Sequence, residues 1–116
     1  MLRAAFAATP AVIFQLGWGV EWATSVCVVR TPDADVQALA PALKAHGVET
    51  RFWWGAGCHR GRAFLGCPQH GDLAVTDALA RTTLGLPFAV DLALADANRI
   101  ALAVQHSLAT LPEGPR

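Results

Sequence analysis

The run WATSVCVVR at residues 22–30 constrains this chain more than any other stretch. In a strand, successive side chains point to opposite faces, so Ala23, Ser25, Cys27 and Val29 share one side and Trp22, Thr24, Val26, Val28 and Arg30 the other. Both sides are largely apolar. A strand of that composition belongs inside a sheet, covered on both faces, rather than at its rim. Its first partner lies just upstream, where Val12, Ile13, Phe14 and Leu16 form a β-branched and aromatic run and Gly17 and Gly19 provide the turn of a hairpin.

Caps and periodicity give the remaining elements. Residues 2–8 are Ala-rich and read as the end of a longer helix, stopped ahead of Pro10 because the residue before a proline avoids the α region. Thr31, Pro32, Asp33 and Asp35 make a turn and an N-cap, and Val36, Leu39, Ala40, Leu43 and Ala45 then recur at helical spacing up to Gly47. Pro41 lies inside that helix and is expected to kink it, since it removes the bond to the Gln37 carbonyl. Residues 48–52 read as a short strand and residues 53–72 as a long glycine-rich loop, a feature that is usually functional or covered by a partner. Thr76 and Asp77 are expected to open a helix that runs through Leu84 and is closed by Gly85, with Leu86, Pro87 and Phe88 extended after it. Residues 93–108 form the last helix, with Leu94, Ala97, Ile100, Ala101, Val104 and Leu108 on one stripe, and residues 112–116 read as a frayed tail. This order implies an α+β domain, a small antiparallel or mixed sheet packed by about three helices.

The 116 residues leave room for a single domain with its core in residues 11–111. Only 16% of residues are charged and 53% are apolar, with a mean hydropathy of +0.36, so an exposed apolar patch is expected, the mark of a surface meant for another domain or subunit. Nine basic and nine acidic residues cancel, which removes any global field for nucleic acid or anionic lipid. No apolar run reaches the roughly 18 residues that cross a bilayer, because Glu21 and Arg30 interrupt the most apolar region. Residues 3–14 bear a superficial likeness to a secretory leader, but Pro10 sits in the middle and no small-residue cleavage site follows. Three cysteines cannot all pair within one chain, which favours reduced thiols and a cytoplasmic location.

The chemistry is concentrated in residues 47–64, GVETRFWWGAGCHRGRAF, which gather two Trp, two Phe, three Arg, one Cys and one His. Guanidinium groups beside rings suit planar or anionic ligands. Arg51, Arg60 and Arg62 offer bidentate contacts to a diphosphate or are solvated loop charges, and Trp53 and Trp54 stack on a base or sugar or simply pack. His59 reads either as a substrate-contacting or proton-shuttling imidazole or as a loop residue bonded to backbone. A zinc site is the rival, because Cys58, His59, Cys67 and His70 carry suitable donor atoms and Cys67 and His70 have chelating spacing. The adjacency of Cys58 and His59 makes joint tetrahedral ligation awkward. Ser25, Ser107, His46 and His106 form no nucleophile–base arrangement, and no glycine-rich phosphate loop follows a strand, so independent hydrolase or nucleotide-binding chemistry is not expected.

Several fragments recur in a particular order: GVETR at 47–51, Trp53 and Trp54, His59 followed by Ala63 and Phe64, DLAVT at 72–76 with Ala78 and Leu79, LGLPF at 84–88, then Asp91 and Leu92. On these, residues 22–108 resemble the C-terminal small domain of the DegT/DnrJ type sugar-nucleotide aminotransferases, pyridoxal-phosphate enzymes of the aspartate aminotransferase fold type. The resemblance implies a large domain that carries the cofactor pocket and the Schiff-base lysine, a small domain that closes over the site, and an active site at a dimer interface. The only lysine here, Lys44, does not match that lysine's position, so the chain alone is expected to hold no cofactor and not to transaminate. By the same resemblance His59, Arg51 and Trp53 are substrate-binding. Ala74 stands where the family usually has Pro, Asp77 where it has Glu, and Ala93 where a Ser or Thr caps the last helix, a loss of typically ~1 kcal/mol. Three roles remain in view: a stand-alone or truncated small domain inactive by itself, an interaction module that pairs with a separate large-domain polypeptide or with itself, and a small zinc-binding domain.

Overall fold

The computed structural model describes residues 1–53 and 55–112. Its centre is a three-stranded antiparallel sheet in the order β1 (Ile13–Phe14), β2 (Cys27–Arg30), β3 (Thr83–Leu86). The apolar strand is central, as its two-sided composition requires, with Phe14 opposite Val29 on one flank and Cys27 opposite Leu86 on the other. Alternation then sorts the sheet into two faces. Cys27, Val29, Leu84 and Leu86 turn toward the helices and join the core, whereas Val28 and Gly85, which pair with each other, turn to the opposite side.

Among the described residues, four helices accompany the sheet: α1 (Leu2–Ala5), α2 (Val36–Ala45), α3 (Ala74–Thr82) and α4 (Leu94–Thr110). Helix α2 has both of its expected ends. Asp35 Oδ1 accepts from the Gln37 N–H at 2.8 Å, and Gly47, at φ +71°, closes a two-bond C-terminal motif in which the Gly47 N–H donates to Lys44 O and the Val48 N–H to Leu43 O. The helix is continuous through Pro41, which lies on its exposed face. Val36, Leu39 and Leu43 on its inner side meet Ala97, Ile100, Ala101 and Val104 of α4 beneath the sheet. As the missing Ser or Thr foretells, no side chain caps the start of α4 at Ala93. Four rings, Phe6, Phe14, Trp18 and Phe88, then follow one another at 5.3–5.5 Å, the outer two pairs edge to face and the middle pair tilted, and join the end of α1 to the segment after β3.

Several elements are shorter than the sequence implies. The first helix ends at Ala5, and the hairpin strands shrink to two and four residues. Residues 17–26 instead form a compact loop: Gly17 O accepts from the Glu21 N–H, Trp18 Nε1 donates to Val26 O, and Trp22 Nε1 donates to Leu16 O. The strand expected at 48–52 is a single bridge, in which Arg51 and Gly85 exchange both backbone bonds. The expected helix 76–84 is displaced toward the N-terminus. Asp72 Oδ1 accepts from the Ala74 N–H, so α3 starts there, and the Thr82 and Thr83 hydroxyls bond back to Ala78 O and Leu79 O at its end. Leu84 and Gly85 therefore belong to β3, not to a helix. The tail beyond Pro112 lies outside the described residues.

Ser107 is the one buried side chain among the described residues whose polar atom has no partner, at 1% exposure on the inner face of α4. Burying an unmatched hydroxyl is costly, and alanine is the better helix former. Ser107→Ala is expected to raise stability by about 1 kcal/mol, read as a higher midpoint in urea with an unchanged slope.

Candidate functional site

The aromatic segment lies on the sheet face opposite α2 and α4, beside α3. After Val48 enters the core, the chain crosses the edge of β3, where Arg51 N–H donates to Gly85 O at 3.0 Å and Gly85 N–H to Arg51 O at 2.7 Å. Two residues on, the indole of Trp53 lies against Gly85. A Cβ at Gly85 would come within 2.6 Å of Trp53 Cδ1 and 3.1 Å of Arg51 O, so only glycine admits the ring this close. Trp53 remains 41% exposed and stands between two hollows. One, of about 280 Å³, is lined by Ser25, Glu49, Arg51, Trp53, Leu86 and Phe88 among others. The other, of about 200 Å³, lies between Trp53, Gly55 and Gly57 on one side and Thr76, Leu79 and Ala80 of α3 on the other.

The loop beyond it makes two 3-10 turns, Cys58–Arg60 and Arg62–Phe64. The first is tied to α3 through one carboxylate. His59 Nε2–H donates to Asp77 Oδ1 at 2.9 Å and Arg60 Nη2–H donates to Asp77 Oδ2 at 2.8 Å. The His59 side chain is 9% exposed, while Arg60 shields the pair from outside and is itself largely in solvent. The bond from Arg60 holds the Asp77 carboxyl below its ordinary range, against the opposing effect of partial burial and with help from His59, and the same bond raises the Arg60 guanidinium. The other ring nitrogen faces Gly57, where a Cβ would lie 2.9 Å from His59 Nδ1 and 2.8 Å from Thr76 Cγ2. At φ +92° this position is strained for any other residue.

The three residues singled out as substrate-binding are thus divided. Arg51 and Trp53 line one hollow together, and His59 lines neither, bonded to a side chain rather than to backbone. The arginines do not converge, since Arg60 is committed to Asp77. Trp54 lies outside the described residues. Cys58 and Cys67 are exposed, and among the described residues no group of three or more His, Cys, Asp or Glu could hold a metal ion, so Cys58, His59, Cys67 and His70 are not brought together. Cys27 is the opposite case, a core thiol pushed up to about 12 by burial. Asp77 was legible only as a helix-opening residue and as a departure from a family pattern, and Glu49 and Phe88 carried no chemical signal of their own.

With this geometry in place, the sequence profile of the DegT/DnrJ/EryC1/StrS aminotransferase family matches residues 2–105. This chain belongs to that family. Two solved structures have its fold: DesV from S. venezuelae in complex with a ketimine intermediate, with TM-score 0.73, 23% identity, and 96% of this chain covered, and the aminotransferase TlmJ from Streptoalloteichus hindustanus, with TM-score 0.72, 23% identity, and 93% covered. The DegT/DnrJ/EryC1/StrS chain described here spans 30% and 29% of the length of those two chains. A comparison with curated proteins found no match. Members of the family are pyridoxal-phosphate-dependent sugar aminotransferases. No helix among the described residues is long and apolar enough to cross a membrane.

Two substitutions test this construction. Gly85→Ala forces Trp53 off the sheet and is expected to destabilise the domain by roughly 1–3 kcal/mol in urea unfolding. Asp77→Asn addresses charge. The Asp77 pKa is lower folded than unfolded, so its stabilisation is present above the unfolded value of about 3.9 and fades as pH falls through the folded value. The stability gap between the wild type and Asp77→Asn is therefore expected to be open at pH 7 and to close toward pH 3 in urea titrations.

Proposed function

We propose that this chain is the small domain of a pyridoxal-phosphate-dependent sugar-nucleotide aminotransferase, that it forms one wall of the active site, and that it does not transaminate by itself. The observation that carries this reading is the family match over residues 2–105 combined with the position of the only lysine. Lys44 is exposed on α2 and borders a hollow of about 330 Å³ with Gln37, Ala40, Pro41, Glu49, Thr50 and Phe52. Pyridoxal phosphate requires a lysine amine, a partner for its pyridinium nitrogen and donors for its phosphate. Around Lys44 there is one carboxylate, Glu49, and no second cation, so these residues do not fit the cofactor. In this reading the lysine and the cofactor cradle belong to a large domain. Arg51 and Trp53 face the sugar nucleotide from the small-domain side, the guanidinium as an anion donor and the indole as a stacking surface.

A second reading is an interaction module that pairs with a separate large-domain polypeptide or with a second copy. The exposed apolar side chains favour it, notably Leu16 at 92%, Val20 at 79% and Val90 at 98%. Light scattering separates the two, because a well-behaved monomer at high concentration counts against self-pairing.

The purified chain, mixed with pyridoxal phosphate and dialysed, is expected to retain no stoichiometric aldimine absorbance and to show the same trace as Lys44→Arg. It is also expected to move no amino group from an amino-acid donor to a keto sugar nucleotide. Stable stoichiometric cofactor binding that Lys44→Arg abolishes would overturn the claim that the chain is incompetent alone.

A further inference from the structure

Asp77 accepts from two successive residues of the same turn, one through each carboxylate oxygen, and among the described residues these are the side-chain hydrogen bonds that tie residues 58–60 to α3. The ring of His59 is held between α3 and its own loop. Nε2 is bonded to Asp77, and Nδ1 rests on Gly57, whose backbone only glycine adopts without strain. A ligand could take the Nε2 proton only if the bond to Asp77 broke or this turn lifted off α3. What the turn does instead is fix Gly57 beside Thr76, and Gly57 with Gly55 forms the wall of the hollow behind Trp53. The opposite side of Trp53 faces the hollow that contains Arg51.

We infer that Asp77 is a positioning residue: through His59 and Arg60 it clamps the 58–60 turn onto α3 and so sets the orientation of Trp53, while His59 acts on the loop and not on the substrate. This rests on the small-domain reading for its functional meaning, because Trp53 matters to a sugar nucleotide only if the chain forms that wall. The chemistry of the clamp is independent of it. An ionised carboxylate accepts the Nε2 proton, so a neutral His59 is held as the Nε2–H tautomer with that proton shielded from solvent. Arg60 on the second oxygen keeps the carboxylate ionised and covers it from the outside.

The test is ¹⁵N NMR on the full labelled chain, with neither cofactor nor substrate added. In the wild type, one histidine is expected to show the Nε2–H tautomer with a slowly exchanging ring proton, and His59→Gln is expected to remove that signal. Asp77→Ala is expected to abolish the slow proton and to shift the Trp53 indole resonance, assigned with Trp53→Phe. The Trp18 and Trp22 indoles, which donate to Val26 O and Leu16 O elsewhere in the fold, should stay in place and report an intact domain. Asp77→Glu, which keeps the charge, is expected to restore the slow proton. If Asp77→Ala disturbs all indoles, His59→Gln takes its place and should move the Trp53 resonance alone. A His59 ring proton in free exchange in the wild type overturns the inference. So does a Trp53 indole left unmoved when the clamp is cut. Because no cofactor or substrate enters, the clamp can fail while the small-domain reading stands, and the cofactor experiment above can fail while the clamp stands.

Discussion

The paired bonds between Arg51 and Gly85 decide how the two sides of this domain meet. On one side of the joint, Val48 ends the α2 connection and is buried in the core. On the other, Trp53 turns back over the sheet and opens the aromatic loop. A backbone pair at the rim of β3 therefore fixes the point at which the chain leaves the hydrophobic layer and begins its exposed face. Glycine is what makes the joint possible, since it lets the indole and the carbonyl of Arg51 approach the same Cα. The position of Trp53 over the sheet follows from that contact.

Much of the scaffold was legible because it rests on local chemistry. Asp35 and Gly47 announce the ends of α2, and the apolar alternation at 27–29 places β2 at the centre of the sheet. The boundary between α3 and β3 was not legible, because Leu84 satisfies a helical stripe as well as an inward-facing strand position. What decides between them is distant: Thr31 N–H donates to Thr82 O, fifty-one residues away, and pins the helix end beside the end of β2. Pro41 is accommodated without ending α2, on the exposed face of the helix and away from the core.

The site was legible as a composition and not as an arrangement. Rings, guanidiniums and an imidazole within residues 47–64 point to ligand chemistry, yet their sorting depends on an aspartate eighteen positions downstream of His59. No spacing rule connects the two. The residue that looked most reactive has its Nε2 committed to Asp77, and the two that remain at the surface, Arg51 and Trp53, are positioned by backbone pairing and glycine contact. Reactivity ranked from side-chain type alone therefore inverts the order that packing imposes.

The central strand also bears on how the chain behaves during synthesis. β2 spans residues 27–30, but the partner on its far side is β3 at 83–86. Until that late segment has emerged, a short, very apolar strand presents an unsatisfied edge to whatever is nearby. Such edges recruit other strands, and pairings this distant in sequence form slowly. A nascent chain of this kind benefits from being shielded until residues 83–86 arrive, so a halt in translation between β2 and β3 would expose an adhesive edge.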